Sequence, residues 1–535
     1  MAHNLPEMQV RVCVVGCGIS GAGAAAELVK AGHTDLVVVE AMGRAGGRVH
    51  TAKQGSSHIE LGAHWIHGED NNCVYEWAMQ HCPHAIDKEL DFTQTGIGQT
   101  TFVNPHGEEV PRDVTDSFQD MMVILDHGDM TDGYNNLAHY YQQQFSEHNK
   151  WGSVGWQLLD WHGRFQSLID GSDSWHSVSA ATREEYWECS GNLIINWNNP
   201  GYQTLVDHLL DTIGGERVLL NSPVSRIEWG GADGSNSRSC SRCYDSVQSL
   251  TSGVQSSLSI ATNPAPDDVQ RSREEKCAEC GRSVEEASGS RKRSQCRVTL
   301  PDRVVVADHV IFSGSLGVLK ATARHLFQPS LPDAKLRVID NLGFDTVAKI
   351  YLEFSERWWP EDCNGFSFLS DLTTAPPDLI QSWEEQMLGF YTVRQQPLML
   401  IAWICGPSAL AMERTPLPEV IARCATVLQT RLAKLCSVTK PVWGTRSVWG
   451  SNPYTQGSYS FRSCASDHCD VWAADLAQPL PDIQHPVLCF CGEATHEHYY
   501  STVHGAWESG KREAARLMHH WEHGTSGPAF QWTIG

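Results

Sequence analysis

The segment from Val12 to Glu40 places a glycine-rich turn and a helix-like run between two apolar runs. The turn reads Gly16-x-Gly18-x-x-Gly21, and the second apolar run ends in the acidic Glu40. This order predicts a strand–helix–strand unit that binds a dinucleotide. In such a unit Gly16 allows the tight turn, Gly18 lets a pyrophosphate approach the backbone, and Gly21 lets the helix pack on the strand.

The first helical turn and the acid after the second strand would hold the two ends of the nucleotide. Unpaired N–H groups around Ser20 would face the phosphates, and Glu40 would accept hydrogen bonds from a ribose. A glycine turn without a ligand is the alternative. It is disfavoured because the strands, the helix and the acid all occur at the required spacing.

A second glycine-rich turn follows at residues 41–48, AMGRAGGR. Arg44 and Arg48 can bring positive charge to the phosphates or ribose, and Gly46 and Gly47 let the backbone lie against the ligand. A domain that binds only NAD has no need of this second turn.

At this point the chain resembles the flavin-dependent amine oxidase family, whose sequences read E-A-x-x-x-x-G-G-R here. Residues 62–68, GAHWIHG, are similar to the polyamine oxidase version of the segment beside the flavin ring. Other similar blocks follow in family order, at residues 342–354, 449–460 and 490–506. The resemblance implies an α/β fold with two domains, a Rossmann-like FAD domain and a substrate domain with a mixed sheet and helices.

These blocks predict that both domains are discontinuous. The FAD domain would comprise residues 1–83, 205–315 and 450–535, and the substrate domain residues 84–204 and 316–449. Residues 231–296 are rich in Ser, Gly and charge, which predicts a disordered insertion. Its cysteines have a spacing that can bind Zn²⁺, but flexible reduced thiols are favoured and no metal site is predicted; they are Cys240, Cys243, Cys277 and Cys280.

The composition limits the partners of this chain. A net charge of −23 disfavours nucleic acid and anionic membranes and favours cationic ligands, although a solvated acidic surface explains it equally well. We find no signal-peptide pattern and no run of apolar residues long enough to span a bilayer. We therefore expect no membrane partner and a location in the cytosol or in both cytosol and nucleus. A monomer is a separate expectation that the composition does not determine.

The resemblance implies three catalytic residues. FAD would accept a hydride equivalent from the carbon next to a neutral amine, so the protein supplies geometry and electrostatics. Lys349 would hold a water against flavin N5 and assist reoxidation by O₂, unless it is a lysine that reaches solvent from a strand edge. His67 would face the substrate nitrogen, and Tyr459 would form one wall of an aromatic cage.

The resemblance also assigns the cofactor contacts. His64 and Trp65 would lie beside the flavin, Val224 at the adenine, and Glu493 near the ribityl and phosphate region. The complete set is Gly16, Gly18, Ser20, Gly21, Glu40, Arg48, His64, Trp65, Val224, Glu493, Thr502 and Val503. Residues 497–501 contain no cysteine that could tether the flavin, so FAD is expected to be non-covalent.

The predicted substrate contacts are His67, Tyr459, Thr502 and Glu188. Thr502 replaces a second aromatic wall, which favours a long polyamine. The acidic residue expected for a distal ammonium falls on Gln166, and Asp170, Asp173 or Glu188 can take its place.

The sequence therefore predicts a polyamine oxidase that uses O₂ and forms an aminoaldehyde and H₂O₂. Spermine is favoured, and N1-acetylpolyamines are the alternative substrate class. A flavin-binding scaffold without turnover is the alternative from another class of protein. The combination of Lys349, His67 and Tyr459 argues against it.

Overall fold

The protein was analysed as a computed structural model that describes residues 5–54, 57–87, 100–130, 133–230, 295–373, 382–525 and 530–532. Two large sheets, each covered by helices, make up most of these residues. Within these residues, three smaller sheets complete the fold, and two of the predicted site residues, Trp65 and Tyr459, lie in them.

The first large sheet has nine strands and forms the nucleotide-binding half. Glu7–Val15 lies at its centre, parallel to both Val304–Phe312 and Leu36–Val39. The strands are almost continuous Val and Ile runs because helices cover both faces. Along the sheet the order is Phe327–Gln328, Arg226–Glu228, Cys296–Thr299, Val304–Phe312, Glu7–Val15, Leu36–Val39 and Val218–Leu219, while Pro486–Phe490 pairs with Val304–Phe312 and with Leu480–Pro481.

Alternate side chains of this sheet enter two separate cores. Val12 and Val14 pack against the helices Ile19–Lys30, Gln203–Ile213 and Val503–His523. Cys13 and Val15 point the other way and pack against Leu316–Leu326 and Asp333–Asn341. This alternation follows from the period of two along a strand.

The predicted domain boundary after residue 315 lies too early. The helices Leu316–Leu326 and Asp333–Asn341 pack on the nine-stranded sheet, and Phe327–Gln328 is its edge strand. A strand of two residues is too short to show periodicity, so the sequence pattern could not reveal it.

The second large sheet has six strands and belongs to the other half. Its neighbours are antiparallel except for the parallel pair of Gly365–Phe368 with Thr101–Val103. The order is Pro441–Arg446, Val347–Phe354, Gln396–Cys405, Gly389–Val393, Gly365–Phe368 and Thr101–Val103. One face is covered by the helices Arg112–Asp126, Leu137–His148 and Ser153–Asp170, and the other by Gly406–Arg414 and Leu417–Arg431.

Short elements connect the two halves. A three-stranded sheet joins Trp65–Ile66, Ile195–Trp197 and Ile86–Asp87, and two ribbons pair Thr51–Gln54 with Ser57–Glu60 and Gly343–Asp345 with Tyr459–Phe461. The remaining helices are Cys73–His81, Thr182–Glu185, Cys464–Cys469 and Ala473–Leu476, and 3₁₀ turns occur at Pro83–Ala85, Gly215–Arg217, Trp383–Gln386 and Glu493–Thr495.

Most of the predicted insertion, including its four cysteines with zinc-like spacing, lies outside the described residues. Its last residue, Cys296, already begins a strand of the nine-stranded sheet. That strand is antiparallel to Arg226–Glu228, with Glu228 opposite Arg297, so the two ends of the insertion are neighbours. In the part of the chain that is described, no helix combines the length and the apolar character that crossing a bilayer requires.

Candidate active site

The first glycine turn contains three glycines, of which two are required for the fold and one is not. Gly16 has a φ of +100°, and a Cβ on Gly21 would lie 2.2 Å from the Gly16 carbonyl oxygen. Both positions therefore need glycine for the fold. Gly18 has an ordinary φ of −73°, and the nearest described atom to a Cβ there is the Gly47 Cα at 3.8 Å. The space beside Gly18 is an open cradle, as expected where a pyrophosphate meets the backbone.

Glu40 closes the end of this turn. Its carboxylate oxygens accept hydrogen bonds from the N–H groups of Cys17 at 2.7 Å and Met42 at 2.8 Å. Burial raises the pKa of Glu40, which these bonds partly oppose. Ser222 N–H donates to the Glu40 carbonyl at 2.8 Å, which brings the loop containing half-buried Val224 to the same place. The predicted ribose and adenine contacts are therefore adjacent.

The two arginines of the second glycine turn have different roles. Arg44 donates to the carbonyls of Ala45, Gly47 and Val49, so it holds the turn together. Arg48 instead crosses the domain junction, where it pairs with Glu493 at 2.7 Å.

Glu493 is buried at this junction, and Arg48 balances its charge. Besides Arg48, it accepts hydrogen bonds from the Ser460 hydroxyl at 2.6 Å and the Ser501 N–H at 2.8 Å. Arg48 also donates to the Ser458 carbonyl at 2.7 Å. The network joins the second glycine turn to the strand of Tyr459 and to the start of the last helix, so these flavin-side segments keep a fixed relative position.

Thr502, a predicted contact of both cofactor and substrate, lies at the start of the last helix. It is the N-cap of the last helix, where its hydroxyl donates to the Tyr499 carbonyl at 2.7 Å and accepts from the Gly505 N–H at 3.0 Å. Its proton is therefore engaged within the protein. Val503 is the first residue of that helix, whose unpaired N–H groups are suited to flavin oxygen atoms.

Lys349 is an interior residue of the six-stranded sheet and does not reach solvent. It is 7% exposed, and its Nζ donates to the carbonyls of Glu60 at 2.9 Å and Gly62 at 2.5 Å. His64 Nδ1 lies 3.3 Å from the same nitrogen. Burial lowers the pKa of Lys349, and the nearby Glu60 carboxylate opposes this shift. A lysine in this position can exchange a proton near neutral pH.

The segment held by Lys349 presents two rings to the site. His64 stacks on Trp65 with ring centroids 4.6 Å apart, and burial lowers the pKa of His64 far below its ordinary value. His67 Nδ1 lies 2.8 Å from the Leu193 carbonyl, so it carries the proton and leaves Nε2 as an acceptor. His67 is solvent-accessible although protein surrounds it and lowers its pKa, as expected for a ring that lines a cavity.

Tyr459 lies beside a carboxylate. Its hydroxyl donates to the Leu168 carbonyl at 2.5 Å, and its ring covers Gly171, where a Cβ would lie 2.4 Å from the ring. The adjacent Asp170 has one buried oxygen, Oδ2, with no hydrogen-bond partner among the described residues. Burial raises the pKa of Asp170 to about 6. Burial is also the main reason that the pKa values of Tyr459, Tyr186 and Tyr500 are raised, and the Asp170 charge adds to all three shifts.

The other predicted acidic positions do not meet these tyrosines in the same way. Gln166 is buried and bonds with His162 at 3.2 Å and Arg183 at 3.0 Å. Asp173 is exposed and accepts a hydrogen bond from the Ser177 hydroxyl at 2.6 Å. Glu188 is exposed, and its charge acts on Tyr186. Of the three acids that the sequence left open, Asp170 is the one with a buried, unpartnered oxygen among the described residues, and it lies beside the Tyr459 ring.

Sequence reasoning missed Arg183, Tyr186 and Tyr500. Arg183 lies in a helix of only four residues, and Tyr186 and Tyr500 lie outside regular structure, so neither periodicity nor a motif gives a signal. Their proximity depends on long-range packing, because Thr182 bonds Tyr500 through their hydroxyls at 2.8 Å and the rings of Tyr186 and Tyr500 lie 5.3 Å apart.

Comparison with known proteins supports the same family. The chain matches the family described as flavin containing amine oxidoreductase over residues 19–243 and 281–518. It is 28% identical over 562 residues to the peroxisomal N(1)-acetyl-spermine/spermidine oxidase of Bos taurus, covering 98% of this chain and 96% of the relative. It is 29% identical over 549 residues to the protein of the same name from Homo sapiens, covering 96% and 95%.

A solved structure shows the same fold. Cyclohexylamine oxidase from Brevibacterium oxydans IH-35A superposes with a TM-score of 0.63 at 16% identity, covering 96% of this chain and all of that one. The predicted α/β amine oxidase fold is therefore confirmed.

The residues described above fit a flavin dinucleotide. The cradle at Gly18 is open, Glu40 would hold the ribose, and Lys349 with His64 and Trp65 would border the flavin ring. The predicted FAD cofactor and the predicted enzyme class are both confirmed by the family match. The chain belongs to the family of flavin-containing amine oxidoreductases.

Proposed function

We propose that the protein oxidises polyamines with O₂ at a carbon next to a secondary amine. Two electrons and two protons leave the C–N unit, and water then hydrolyses the imine to a shorter polyamine and an aminoaldehyde. O₂ receives the two electrons and two protons and becomes H₂O₂. Bound FAD supplies the hydride acceptor and passes the electrons to O₂. The observation that carries this proposal is the Asp170 carboxylate, whose buried Oδ2 has no hydrogen-bond partner among the described residues and which lies between Leu168 and Gly171, the two residues that Tyr459 contacts.

A carboxylate beside an aromatic ring suits an alkylammonium ion. The carboxylate offers charge-assisted hydrogen bonds, and the ring faces attract the same cation. The unpartnered Oδ2 of Asp170 is available for such a bond. An amine with a second nitrogen at a distance from the oxidised carbon would therefore be bound at both ends.

The residues near the flavin act on the nitrogen that reacts. His67 Nε2 accepts a hydrogen bond from the amine N–H, which orients the nitrogen lone pair and the adjacent C–H bond. Tyr459 restricts the position of the chain from the side. Lys349, with its lowered pKa, exchanges a proton close to the flavin and holds the segment from Glu60 to His64 in place.

Two substrate classes remain candidates. Spermine is the substrate that the sequence favours, and Asp170 supports it because a free terminal ammonium can pair with that carboxylate. N1-acetylpolyamines are the second candidate. They are supported by the names of the bovine and human relatives and by Arg183, a cation placed near the same carboxylate.

The test measures H₂O₂ formation from spermine, spermidine and their N1-acetylated forms. We expect oxidation of at least one of them, and Asp170→Asn should lower kcat/KM for every polyamine that ends at this carboxylate. Asp173→Asn removes an exposed acid three residues further on and is the matched control. Failure of all four substrates with fully FAD-loaded protein would refute the proposal.

We also propose that FAD is held without a covalent bond, that the protein is a monomer, and that it resides in the cytosol or in both cytosol and nucleus. Acid precipitation should release all of the flavin into the supernatant. Light scattering and imaging of a fluorescent fusion test the other two points. Flavin that stays with the precipitated protein would contradict non-covalent binding.

A further inference from the structure

His64 contacts the Lys349 side chain through a ring nitrogen, and the oxidation chemistry described above gives this nitrogen no role. Lys349 Nζ lies within hydrogen-bond distance of three acceptors, which are the carbonyls of Glu60 at 2.9 Å and Gly62 at 2.5 Å and His64 Nδ1 at 3.3 Å. An ammonium group has three N–H donors, so these three atoms engage all of them. A carbonyl oxygen only accepts hydrogen bonds, whereas an imidazole nitrogen can take the proton itself.

The His64 ring is held in one orientation, and its second nitrogen stays accessible. The ring stacks on Trp65, with centroids 4.6 Å apart and an angle of 27° between the planes. Trp65 is fixed in turn, because its Nε1 donates to Asn196 Oδ1 at 3.1 Å. His64 is half-buried, and its Nε2 bonds none of the described residues. One nitrogen therefore contacts Lys349, and the other can meet a group beside the flavin.

The groups around this pair keep the imidazole neutral and leave the exchangeable proton on Lys349. Burial lowers the pKa of Lys349 to about 7, and the Glu60 carboxylate opposes this shift. Burial lowers the pKa of His64 far below its ordinary value, and the charges of Lys349 and His67 add to that shift. The pKa of His67 is also lowered by burial. Tyr351, whose hydroxyl donates to the Glu60 carbonyl at 2.8 Å, stays protonated because burial raises its pKa.

A neutral imidazole passes a proton on by exchanging its two tautomers. While Lys349 is an ammonium, His64 Nδ1 accepts a hydrogen bond and Nε2 carries the proton. When the Nε2–H bond breaks and its proton moves to an acceptor, a Lys349 N–H bond also breaks and that proton forms the new Nδ1–H bond. Lys349 is then a neutral amine whose two N–H groups still donate to the Glu60 and Gly62 carbonyls, so the side chain keeps its place.

We propose that His64 relays a proton from Lys349 to O₂ during reoxidation of the flavin. This inference rests on the proposed oxidation, in which O₂ takes up two electrons and two protons and becomes H₂O₂. The electrons and one proton come from the reduced FAD, and His64 Nε2 donates the second proton. Lys349 regains its proton from the amine, which loses two protons for each H₂O₂ formed.

The test measures the rate constant of flavin reoxidation after reduction by dithionite, so no amine substrate is needed. In wild type it should fall as the pH rises through about 7, because Lys349 loses its ammonium proton. His64→Gln keeps an acceptor for Lys349, but an amide does not transfer a proton. We expect its rate constant to be about 100-fold lower and independent of pH. His148→Gln changes an exposed histidine on another helix and is the control that should alter neither property.

Two further measurements separate a relay from a structural contact. The double variant of Lys349→Met and His64→Gln should be reoxidised no more slowly than Lys349→Met, because both residues act on the same proton. In the flavin-free protein, His64→Phe keeps a ring on Trp65 but removes the acceptor of Lys349, so it should lower the melting temperature below pH 7. His64→Gln should stay closer to wild type in the same measurement.

Reoxidation of His64→Gln at the wild-type rate and with the wild-type pH dependence would overturn the inference. Rate losses that multiply in the double variant would also overturn it, and so would equal melting temperatures of the flavin-free wild-type and His64→Phe proteins. Slow, pH-independent reoxidation of His64→Gln, together with a wild-type protein that oxidises no polyamine, would refute the proposed function and leave the relay intact.

Discussion

The open cradle at Gly18 predicts a substitution that separates cofactor binding from folding. In Gly18→Ala the new methyl group would lie 3.8 Å from the Gly47 Cα, an ordinary contact, and the φ of −73° suits alanine. Replacement of glycine at a compatible position stabilises a protein by about 0.4–1 kcal/mol, because the unfolded chain loses freedom. The flavin-free variant should therefore be as stable as the flavin-free wild type, or slightly more stable.

Flavin binding should change in the opposite direction. A methyl group forced into a close contact costs about 1–3 kcal/mol, which corresponds to a loss in affinity of about 5- to 150-fold. Gly18→Val adds more atoms to the same space and should lose more. The assay is FAD titration of the deflavinated protein, together with the melting temperature of the flavin-free form.

Gly21→Ala is the matched control in the same turn. Its methyl group would lie 2.2 Å from the Gly16 carbonyl oxygen, so the helix must move and the flavin-free protein itself should be destabilised. A Gly18→Ala variant that binds FAD like wild type would refute the cradle. A flavin-free Gly18→Ala variant that melts well below wild type would refute the argument that this glycine is dispensable for the fold.

Three further predictions concern separate parts of the chain. Lys349→Met should keep FAD but slow turnover by about 100-fold or more, as judged by the rate of H₂O₂ formation, and a rate near wild type would exclude it from proton transfer. Lys335→Met should lower the free energy of unfolding by several kcal/mol. Lys335 donates to three carbonyls, and each buried carbonyl that loses its hydrogen bond costs about 1–3 kcal/mol. Lys320→Met removes a single such bond and should cost less in the same denaturation assay, and equal losses would contradict the argument. Replacing residues 231–294 with an Asn-Gly turn should leave flavin content and turnover within a few-fold of wild type, because the flanking strands are antiparallel neighbours. Loss of FAD in this variant would show that the insertion has a structural role.

The nucleotide-binding unit was predictable because its determinants are local. The turn, helix and acid between Gly16 and Glu40 occur within one strand–helix–strand unit, and the structure forms that unit with Glu40 at the end of the second strand. Lys349 was identified by a cation within an apolar alternating run, which is costly unless the cation has partners. The structure supplies those partners as the carbonyls of Glu60 and Gly62.

The substrate end was not predictable to the same degree because its residues meet only through tertiary packing. Gln166 and Asp170 are one helical turn apart, and which of them faces the tyrosines depends on the orientation of the helix Ser153–Asp170. Arg183 has no motif, and its place depends on the contact of Thr182 with Tyr500. The N-cap role of Thr502 was also not predicted, because the sequence does not show where the last helix takes its first hydrogen bond.

The most direct test of polyamine oxidation is anaerobic mixing of the FAD-loaded protein with spermine and, separately, with N1-acetylspermine. We expect at least one of them to bleach the absorbance of the oxidised flavin. Readmission of O₂ should then restore the absorbance, with one H₂O₂ and one aminoaldehyde formed for each flavin reduced. If a chemical reductant bleaches the flavin but neither polyamine does, the proposed polyamine oxidation is contradicted.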